Sequence, residues 1–99
     1  MVLEIFDETF GSLERAMSLA TKTQAVIAQN IANAKTPGYE AMTFDAELDK
    51  AVKRRDKKQV TLEDEMAALA ENSGKYSAYV KLMTSKLNVL KSVVTQGRR

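Results

Sequence analysis

The side chains that could do chemistry in this sequence are carboxylates, lysines and hydroxyls, because its 99 residues include no histidine and no cysteine. Zinc sites, disulfides, thiol nucleophiles and the commonest general base are therefore excluded. The remaining groups lie among helix-forming residues with no nucleophile signature nearby. The stretch NSGKY at 72–76 lacks the first glycine, and the hydroxyl residue after the lysine, that a phosphate-binding loop requires. We therefore predict that the chain is not an enzyme and has no catalytic, cofactor-binding or metal-binding residues.

Basic residues are concentrated in the segment KAVKRRDKK at 50–58. It has six basic side chains and one acidic one, although the formal net charge of the chain is only +2. This segment is interpreted either as a solvated linker between two helical halves or as a binding patch for an acidic partner or nucleic acid. The composition leaves both interpretations open.

The last third of the sequence has apolar residues at alternating steps of four and three, the spacing of a helix that packs along a seam. Of the ten positions in this series, only Ser73 is not apolar. Thr61 and Asp64 resemble a capping box and Gly97 is a suitable stop, so we predict a C-terminal helix at 61–96. Its predicted assembly seam consists of Leu62, Met66, Leu69, Tyr76, Val80, Met83, Leu87, Leu90 and Val94.

A second apolar stripe on the same predicted helix contains Tyr79, Leu82, Val89 and Val93. Each of these residues is displaced by one position from the seam, which corresponds to about 100° around a helix. One partner helix cannot cover both stripes. The pattern predicts either a wide face in a small bundle or contacts with other copies and other proteins, and we favour the second because the chain offers only one other long helix.

An N-terminal helix is predicted at 9–34, where the alternation of four and three residues recurs. Its large seam residues are Leu13, Met17, Ile27 and Ile31, and the other seam positions hold alanine or glutamine. Small residues let another helix approach closely, although alanine also favours helix formation by itself.

The stretch NIANAKTPGY at 30–39 is predicted to be a joint that ends this helix. Pro37 disfavours helical geometry at Thr36, and Pro37 with Gly38 suits the central positions of a type II turn. The side chains that can pair with the open helix end or cover the joint are Asn30, Asn33 and Tyr39.

After this turn, Phe44, Leu48 and Val52 recur every four residues, which predicts a short helix at about 44–52. The predicted fold is all-α, with two long amphipathic helices folding back as a coiled-coil-like helical hairpin. The Pro-Gly turn, the short helix and the basic linker join the two helices at 35–61. The chain, residues 1–99, is expected to be one domain with a thin or shared core.

Two stretches of the sequence resemble a known family. QNIANAKTPGYEA at 29–41 resembles the signature of the rod and hook family of flagellar axial proteins, which follows an N-terminal amphipathic helix. EMAALAENSGKYSAYVKLMTSKLNVLKSVV at 65–94 resembles the C-terminal segment of the short proximal rod members of that family. The motif residues matched here are Asn30, Asn33, Thr36, Pro37, Gly38 and Tyr39.

The resemblance implies a structural subunit of the basal-body rod, in which the terminal helices pack into the inner layer of a shaft that transmits torque. It implies export by the flagellar type III apparatus to the periplasm without a cleaved signal peptide. The N-terminal MVLEIFDETF likewise has neither the basic flank nor the apolar run of a signal peptide or membrane anchor. The implied partners are a FlgC-like rod subunit, a FliE-like adaptor, the membrane ring and the export gate, with no nucleic acid and no transmembrane segment.

The sequence departs from the family pattern at two places. The segment after Tyr39 is short, and Gly74 replaces a bulkier residue inside the predicted helix, which suggests a kink or a close interhelix contact there.

Two alternative functions are a basic-region coiled-coil DNA-binding protein and a generic coiled-coil adaptor. The helix start predicted at Thr61 separates the basic residues from the seam and argues against the DNA-binding alternative.

Overall fold

The structure, a computed structural model, describes residues 2–56 and 59–97. Two long helices, α1 at Val2–Ala32 and α2 at Leu62–Gly97, flank two short strands, β1 at Met42–Asp45 and β2 at Lys50–Lys53. The prediction of two dominant helices is confirmed. The all-α assignment is wrong, because β1 and β2 form a two-stranded antiparallel sheet. Lys57 and Lys58 of the predicted basic linker lie outside the described residues.

The two helices lie side by side and run in opposite directions. Asn72 contacts Ala20, and Glu65 contacts Asn30, so rising numbers on α2 meet falling numbers on α1. The chain measures 66 × 24 × 17 Å and has a radius of gyration of 18.3 Å, whereas a compact chain of this length has about 13 Å. The molecule is therefore an elongated hairpin. Over the described residues, neither helix has an apolar stretch that would cross a bilayer.

The segment predicted as a short helix at 44–52 forms a β-hairpin, so that prediction is wrong. The strands pair in antiparallel register, with Thr43 opposite Val52 and Phe44 opposite Ala51. Because cross-strand partners share a face and neighbours along a strand do not, Phe44 and Val52 lie on opposite faces of the sheet. The four-residue spacing of Phe44, Leu48 and Val52 is therefore not a helical stripe, and the aromatic side chain of Phe44 and the β-branched one of Val52 favour strands.

Local hydrogen bonds fix the hairpin turn at 46–49. Asp45 Oδ1 accepts hydrogen bonds from the backbone N of Glu47 at 2.9 Å and from that of Leu48 at 3.1 Å. Such a side-chain-to-backbone turn is typical of aspartate. Asp49 has a φ of 52°, in the left-handed region that aspartate tolerates better than most residues. Because these contacts stabilise a turn at 46–49, they disfavour the helix that the spacing of apolar residues predicted at 44–52.

Lys22 of α1 holds the hairpin alongside the helix. Its Nζ lies 2.6 Å from Asp49 Oδ1 and 5.9 Å from the centroid of the Phe44 ring. Both partners of the ion pair are substantially exposed, so the pair contributes at most about 1 kcal/mol. Its main effect is to orient the β-hairpin, because it turns the Phe44 ring of β1 toward α1.

The chain leaves α1 through tight turns. Thr36 N donates to Asn33 O at 2.9 Å, and Tyr39 N donates to Thr36 O at 3.2 Å. The second hydrogen bond spans Pro37 and Gly38. Gly38 has a φ of 78°, the left-handed value that the third position of a type II turn requires. The type II assignment itself stays a prediction.

The apolar core is small and belongs mainly to α1. Among the described residues, the buried apolar side chains are Leu13, Ala20, Val26, Ile27 and Ala41. None of them lies on α2. The buried side chains of α2 in the described part of the chain are polar, Glu65 and Asn72. Polar contacts therefore position α2 against the rest of the molecule.

Gly74 lies inside α2, and a Cβ added there would meet nothing within 4 Å. We expect Gly74→Ala to raise the free energy of unfolding of the isolated chain by about 1 kcal/mol, because alanine loses less backbone entropy in a helix than glycine. Urea denaturation followed by far-ultraviolet circular dichroism measures the change.

Gly38→Ala is the matched control for this prediction. A Cβ at Gly38 would also meet nothing within 4 Å, but the φ of 78° is unfavourable for alanine. This substitution is expected to lower the free energy of unfolding by about 1 kcal/mol. Changes of the same sign at the two glycines would contradict the prediction.

Candidate functional site

Asn30 lies near the end of α1, and its side chain is fully buried. Its Nδ2 donates to Met42 O at 2.9 Å and to Glu65 Oε2 at 3.2 Å. Its Oδ1 accepts hydrogen bonds from Tyr39 OH at 2.7 Å and from Met42 N at 3.0 Å. A carboxamide has two N–H donors and two acceptor lone pairs, so every hydrogen-bonding position of Asn30 is occupied. One side chain thereby joins α1, β1 and α2.

Glu65 supplies the buried carboxylate of this cluster and is 1% exposed. Its Oε1 accepts a hydrogen bond from Arg54 Nη2 at 2.8 Å, while its Oε2 accepts the one from Asn30. A buried carboxylate requires an opposite charge and hydrogen bonds to offset its desolvation. Arg54 comes directly after β2, and its N donates to Ala41 O at 2.8 Å, so backbone pairing places the guanidinium.

Tyr39, at the end of the joint, contributes the last side chain of this cluster. Burial raises the pKa of its phenol above the usual value, the Glu65 carboxylate raises the pKa further, and the Arg54 guanidinium lowers it by less. The phenol therefore stays protonated at neutral pH and donates to Asn30 Oδ1. We call Asn30, Tyr39, Arg54 and Glu65 the Asn30 cluster.

Asn72 makes a second polar contact between the helices. Its Nδ2 donates to Ala20 O and to Gln24 Oε1, each at 2.8 Å. Asn72 follows Glu65 by seven residues, so both side chains lie on the same face of α2. Of the described residues, none has a buried side-chain nitrogen or oxygen without a hydrogen bond. The buried side-chain polar atoms of Glu65 and Asn72 are therefore all hydrogen-bonded.

The structure divides the six motif residues between two places. Asn30 and Tyr39 belong to the Asn30 cluster. Asn33 Nδ2 donates to Gln29 O at 2.9 Å and its Oδ1 accepts from Thr36 Oγ1 at 3.2 Å, so these two residues finish the helix end. The exposed pair at 37–38 lies in the turn itself. The motif thus builds the end of α1 and attaches it to the other segments.

The structure buries only part of the predicted assembly seam. On α1, Leu13 and Ile27 are buried while Met17 and Ile31 are half-buried. On α2, the half-buried seam residues are Leu69, Met83 and Leu90. The exposed ones, with relative exposures of 39% to 54%, are Leu62, Met66, Tyr76, Val80, Leu87 and Val94. The exposed residues of the second stripe are Leu82, Val89 and Val93.

Sequence reasoning did not single out Arg54, Glu65 or Asn72. Arg54 was included in a predicted linker, and the two α2 residues are polar, so a search for apolar periodicity passed over them. A usable signal was present, since Glu65, Asn72 and Tyr79 recur every seven residues on one helical face. That face, and not the one centred on Leu62 and Met66, turns toward α1 in this structure.

The arrangement is suited to holding segments together rather than to catalysis. All side chains of the Asn30 cluster are engaged with one another or with the backbone. No three acidic side chains within the described ranges lie close enough together to hold a metal ion. The cluster is therefore a structural junction that fixes which faces of the helices remain outside.

Asn30→Ala is expected to lower the free energy of unfolding by about 3 kcal/mol. The substitution leaves the Tyr39 hydroxyl, the Met42 backbone and the Glu65 carboxylate short of a partner, and each buried unsatisfied group costs about 1 to 3 kcal/mol. Urea denaturation of the two proteins measures the difference.

Asn33→Ala provides the matched control for Asn30→Ala. Asn33 belongs to the same motif, but its amide donates to the carbonyl of Gln29 in an exposed contact. We expect a loss of at most about 1 kcal/mol. An equal loss at both asparagines would show that the buried hydrogen bonds of Asn30 contribute no more to stability than the exposed one of Asn33.

The raised pKa of Tyr39 predicts a pH-dependent contribution to stability. Because the folded-state pKa lies above the reference value of 10.0, the contribution is fully present below that pH and is lost as the pH rises through the folded-state pKa. The difference in free energy of unfolding between the wild type and Tyr39→Phe is expected to be constant up to about pH 9 and to shrink at higher pH. Denaturation curves measured from neutral to alkaline pH test this, and a growing difference would contradict it.

The comparisons with known proteins point to one family. The family model described as "Flagella basal body rod protein" matches residues 12–39, which cover most of α1 and the joint. A Bacillus subtilis (strain 168) relative, flagellar basal body rod protein FlgB, is 30% identical over 129 aligned positions that cover 97% of this chain and 100% of that protein. FlgB of Proteus mirabilis (strain HI4320) is 43% identical over 53 residues, covering 52% of this chain and 39% of that protein. FlgB of Escherichia coli (strain K12) is 40% identical over 55 residues, covering 54% of this chain and 40% of that protein.

The similarity to the Bacillus subtilis protein decides the family, because it extends over nearly the whole length of both chains. Its 129 aligned positions exceed the 99 residues of this chain, so part of that relative has no counterpart here. The two shorter alignments have higher identity, and the proteins that they match are also named FlgB. This chain therefore belongs to the FlgB family of flagellar basal body rod proteins, a family of structural proteins and not of enzymes.

Proposed function

We propose that the chain is a structural subunit of the proximal rod of the flagellar basal body and joins the rod through its N- and C-terminal helices. Family membership supports the rod assignment, and one structural observation supports the role of the helices. Large apolar side chains of α2 remain exposed along almost its entire length. The chain itself has no third helix among its described residues to cover them.

The outer apolar face of α2 consists of Leu62, Met66, Val80, Leu87 and Val94, which are 39% to 54% exposed. Burial of such side chains stabilises an assembly by about 25 cal/mol per Å² of apolar surface removed from water. A monomeric soluble protein rarely exposes apolar side chains in one long row, and a surface of this kind typically marks a protein interface.

A second exposed flank, with Leu82, Val89 and Val93, lies on the other side of the contact between α2 and α1. Two flanks separated by an intramolecular contact require two different neighbours. Interfaces of this heterologous kind generate rings or open helical filaments. This requirement suits a subunit of a shaft better than a member of a closed dimer.

We further propose the partners and location that the family resemblance implies. These are a FlgC-like rod subunit, a FliE-like adaptor, the membrane ring and the export gate, with the chain located in the periplasmic rod after export without a cleaved signal peptide. The six motif residues take part indirectly in this proposal. Asn30 and Tyr39 help to hold the helices in the arrangement that leaves the proposed assembly faces outside, and the other four build the end of α1 and the turn after it.

The basic-region DNA-binding alternative loses its geometric basis. It requires one continuous helix that carries both the basic residues and the seam. Lys50 and Lys53 lie in β2. Arg54 lies between β2 and α2 and is paired with Glu65. A generic coiled-coil adaptor is distinguished from a rod subunit by assembly, because it would form a small closed oligomer.

The test is complementation of a strain that lacks the gene with the wild type or Leu87→Asp, followed by detergent extraction of basal bodies and blotting. Leu87 is 48% exposed, so we expect the aspartate to leave the helical circular dichroism of the isolated chain unchanged. We expect recovery of Leu87→Asp in the basal-body fraction to fall by at least about tenfold, with loss of motility, because a charge would be buried at the interface.

Leu48→Asp is the matched control, since this leucine is 58% exposed but lies in the hairpin turn. It is expected to retain motility and recovery. An equal loss for both variants would contradict assembly through α2. Normal motility with the wild-type protein absent from the basal-body fraction would overturn the rod assignment itself.

A further inference from the structure

Acidic and basic residues are segregated between the two helices at the end of the molecule where α1 begins and α2 ends. Residues 2–14 include no basic side chain and four acidic ones, Glu4, Asp7, Glu8 and Glu14. Residues 72–97 include no acidic side chain and four lysines, Lys75, Lys81, Lys86 and Lys91. We call these segments the acidic half of α1 and the lysine half of α2.

The two segments are neighbours within the chain, yet their charges do not meet. Ile5 of α1 borders the same groove as Leu82 and Val89 of α2. Among the described residues, none of the four carboxylates forms an ion pair, and of the four lysines only Lys75 does, with Glu71 of its own helix at 3.6 Å. Both sets of charges therefore remain available to groups outside the chain.

Helix dipoles account for only a small part of this distribution. An acid near the start of a helix and a base near its end are favourable, but the effect falls off within the first and last turns. The acidic half of α1 continues to Glu14, and the lysines of α2 begin at Lys75, more than five turns before Gly97. The segregation extends well beyond what the dipoles favour.

The lysine half of α2 also carries much of the outer apolar face. Lys91 borders a groove with Leu87, Leu90 and Val94. The segment that covers it must combine apolar side chains with carboxylates along a helix. The acidic half of α1 is a helical segment of apolar and acidic residues, and its exposed Asp7 and Glu14 lie seven residues apart on one face of the helix. Glu4 and Glu14 are ten positions apart along α1, or about 15 Å, which equals the separation of Lys81 and Lys91 along α2.

We propose that the acidic half of α1 in one copy lies against the lysine half of α2 in a second copy of this chain. The inference rests on the proposed function as a rod subunit, and it names the occupant of one exposed face. Opposite charges attract the two segments before contact, and like charges disfavour α1 against α1 and α2 against α2. The pairing thus selects which helix of the neighbour is bound.

The experiment uses two charge-reversed full-length variants. Variant A carries Lys81→Glu and Lys91→Glu, and variant B carries Asp7→Lys and Glu14→Lys. All four positions are exposed, so each isolated variant is expected to keep the helical circular dichroism of the wild type. The variants are expressed separately and together, with different epitope tags, in a strain that lacks the gene. Recovery in extracted basal bodies is measured for each tag.

We expect variant A alone and variant B alone to be recovered at least about tenfold less than the wild type, because each brings like charges together at every contact between copies. Expressed together, they are expected to return to within about twofold of the wild type, since the acidic α1 of A meets the basic α2 of B, and the reversed segments attract in the same way. Recovery of the mixture also shows that each variant folds and is exported.

Two outcomes would overturn the proposal. Normal recovery of either variant alone would show that these charges do not select the neighbour. Loss in both single expressions without restoration in the mixture would show that the segments pair within one chain or with a different protein. In both cases the wild-type arm still reports the rod function separately. Lys35→Glu with Lys50→Glu, two exposed lysines at the other end of the molecule, is the control and is expected to assemble normally.

Discussion

Asn30 and Glu65 meet at 3.2 Å where α1, the β-hairpin and α2 come together, and the positions of these segments depend on that contact. Apolar contacts are non-directional and tolerate sliding, whereas a fully satisfied buried polar network permits one arrangement. A slip of one residue along α2 would rotate its faces by about 100°. The network therefore determines which side chains face α1 and which remain exposed.

This constraint explains an unusual division of residues on α2. Its buried side chains among the described residues are polar, whereas many of its large apolar side chains are outside. In a self-sufficient two-helix domain the reverse is expected, because burial of apolar surface is the main favourable term in folding. Here Asn72 and Glu65 fix the register within the chain, and apolar residues such as Leu87 remain exposed. The isolated chain is consequently held together by few apolar contacts.

The sequence predicted the two helices because periodic apolar residues over many turns leave few other structures. It did not predict the hairpin, since Phe44 and Val52 have a helical spacing by coincidence and their pairing partners Ala51 and Thr43 carry no distinctive signal. It also missed Glu65, whose burial depends on an arginine eleven residues earlier in the chain. Local patterns reveal amphipathic faces, but they do not show which polar side chains find a distant partner. The motif drew attention to Asn30, yet the hydrogen bonds that join its side chain to Tyr39, β1 and α2 became apparent only in three dimensions.

In the proposed pairing of copies, the placement of the charges gives the assembly a direction. Within one chain, α1 and α2 contact each other through their inner faces. Exposed charges such as Asp7 and Lys81 therefore lie on the outer sides of the helix pair. A second copy that covers the outer side of α2 with its own α1 does not reach the outer side of the first α1. Each such contact leaves one acidic and one basic face open at the two sides of the pair. The next copy then joins in the same orientation, and the arrangement extends as a row instead of closing as a two-fold dimer. A subunit with this property depends on the register set by Asn30 and Glu65, because that register aligns the charged segments with the apolar face that they accompany.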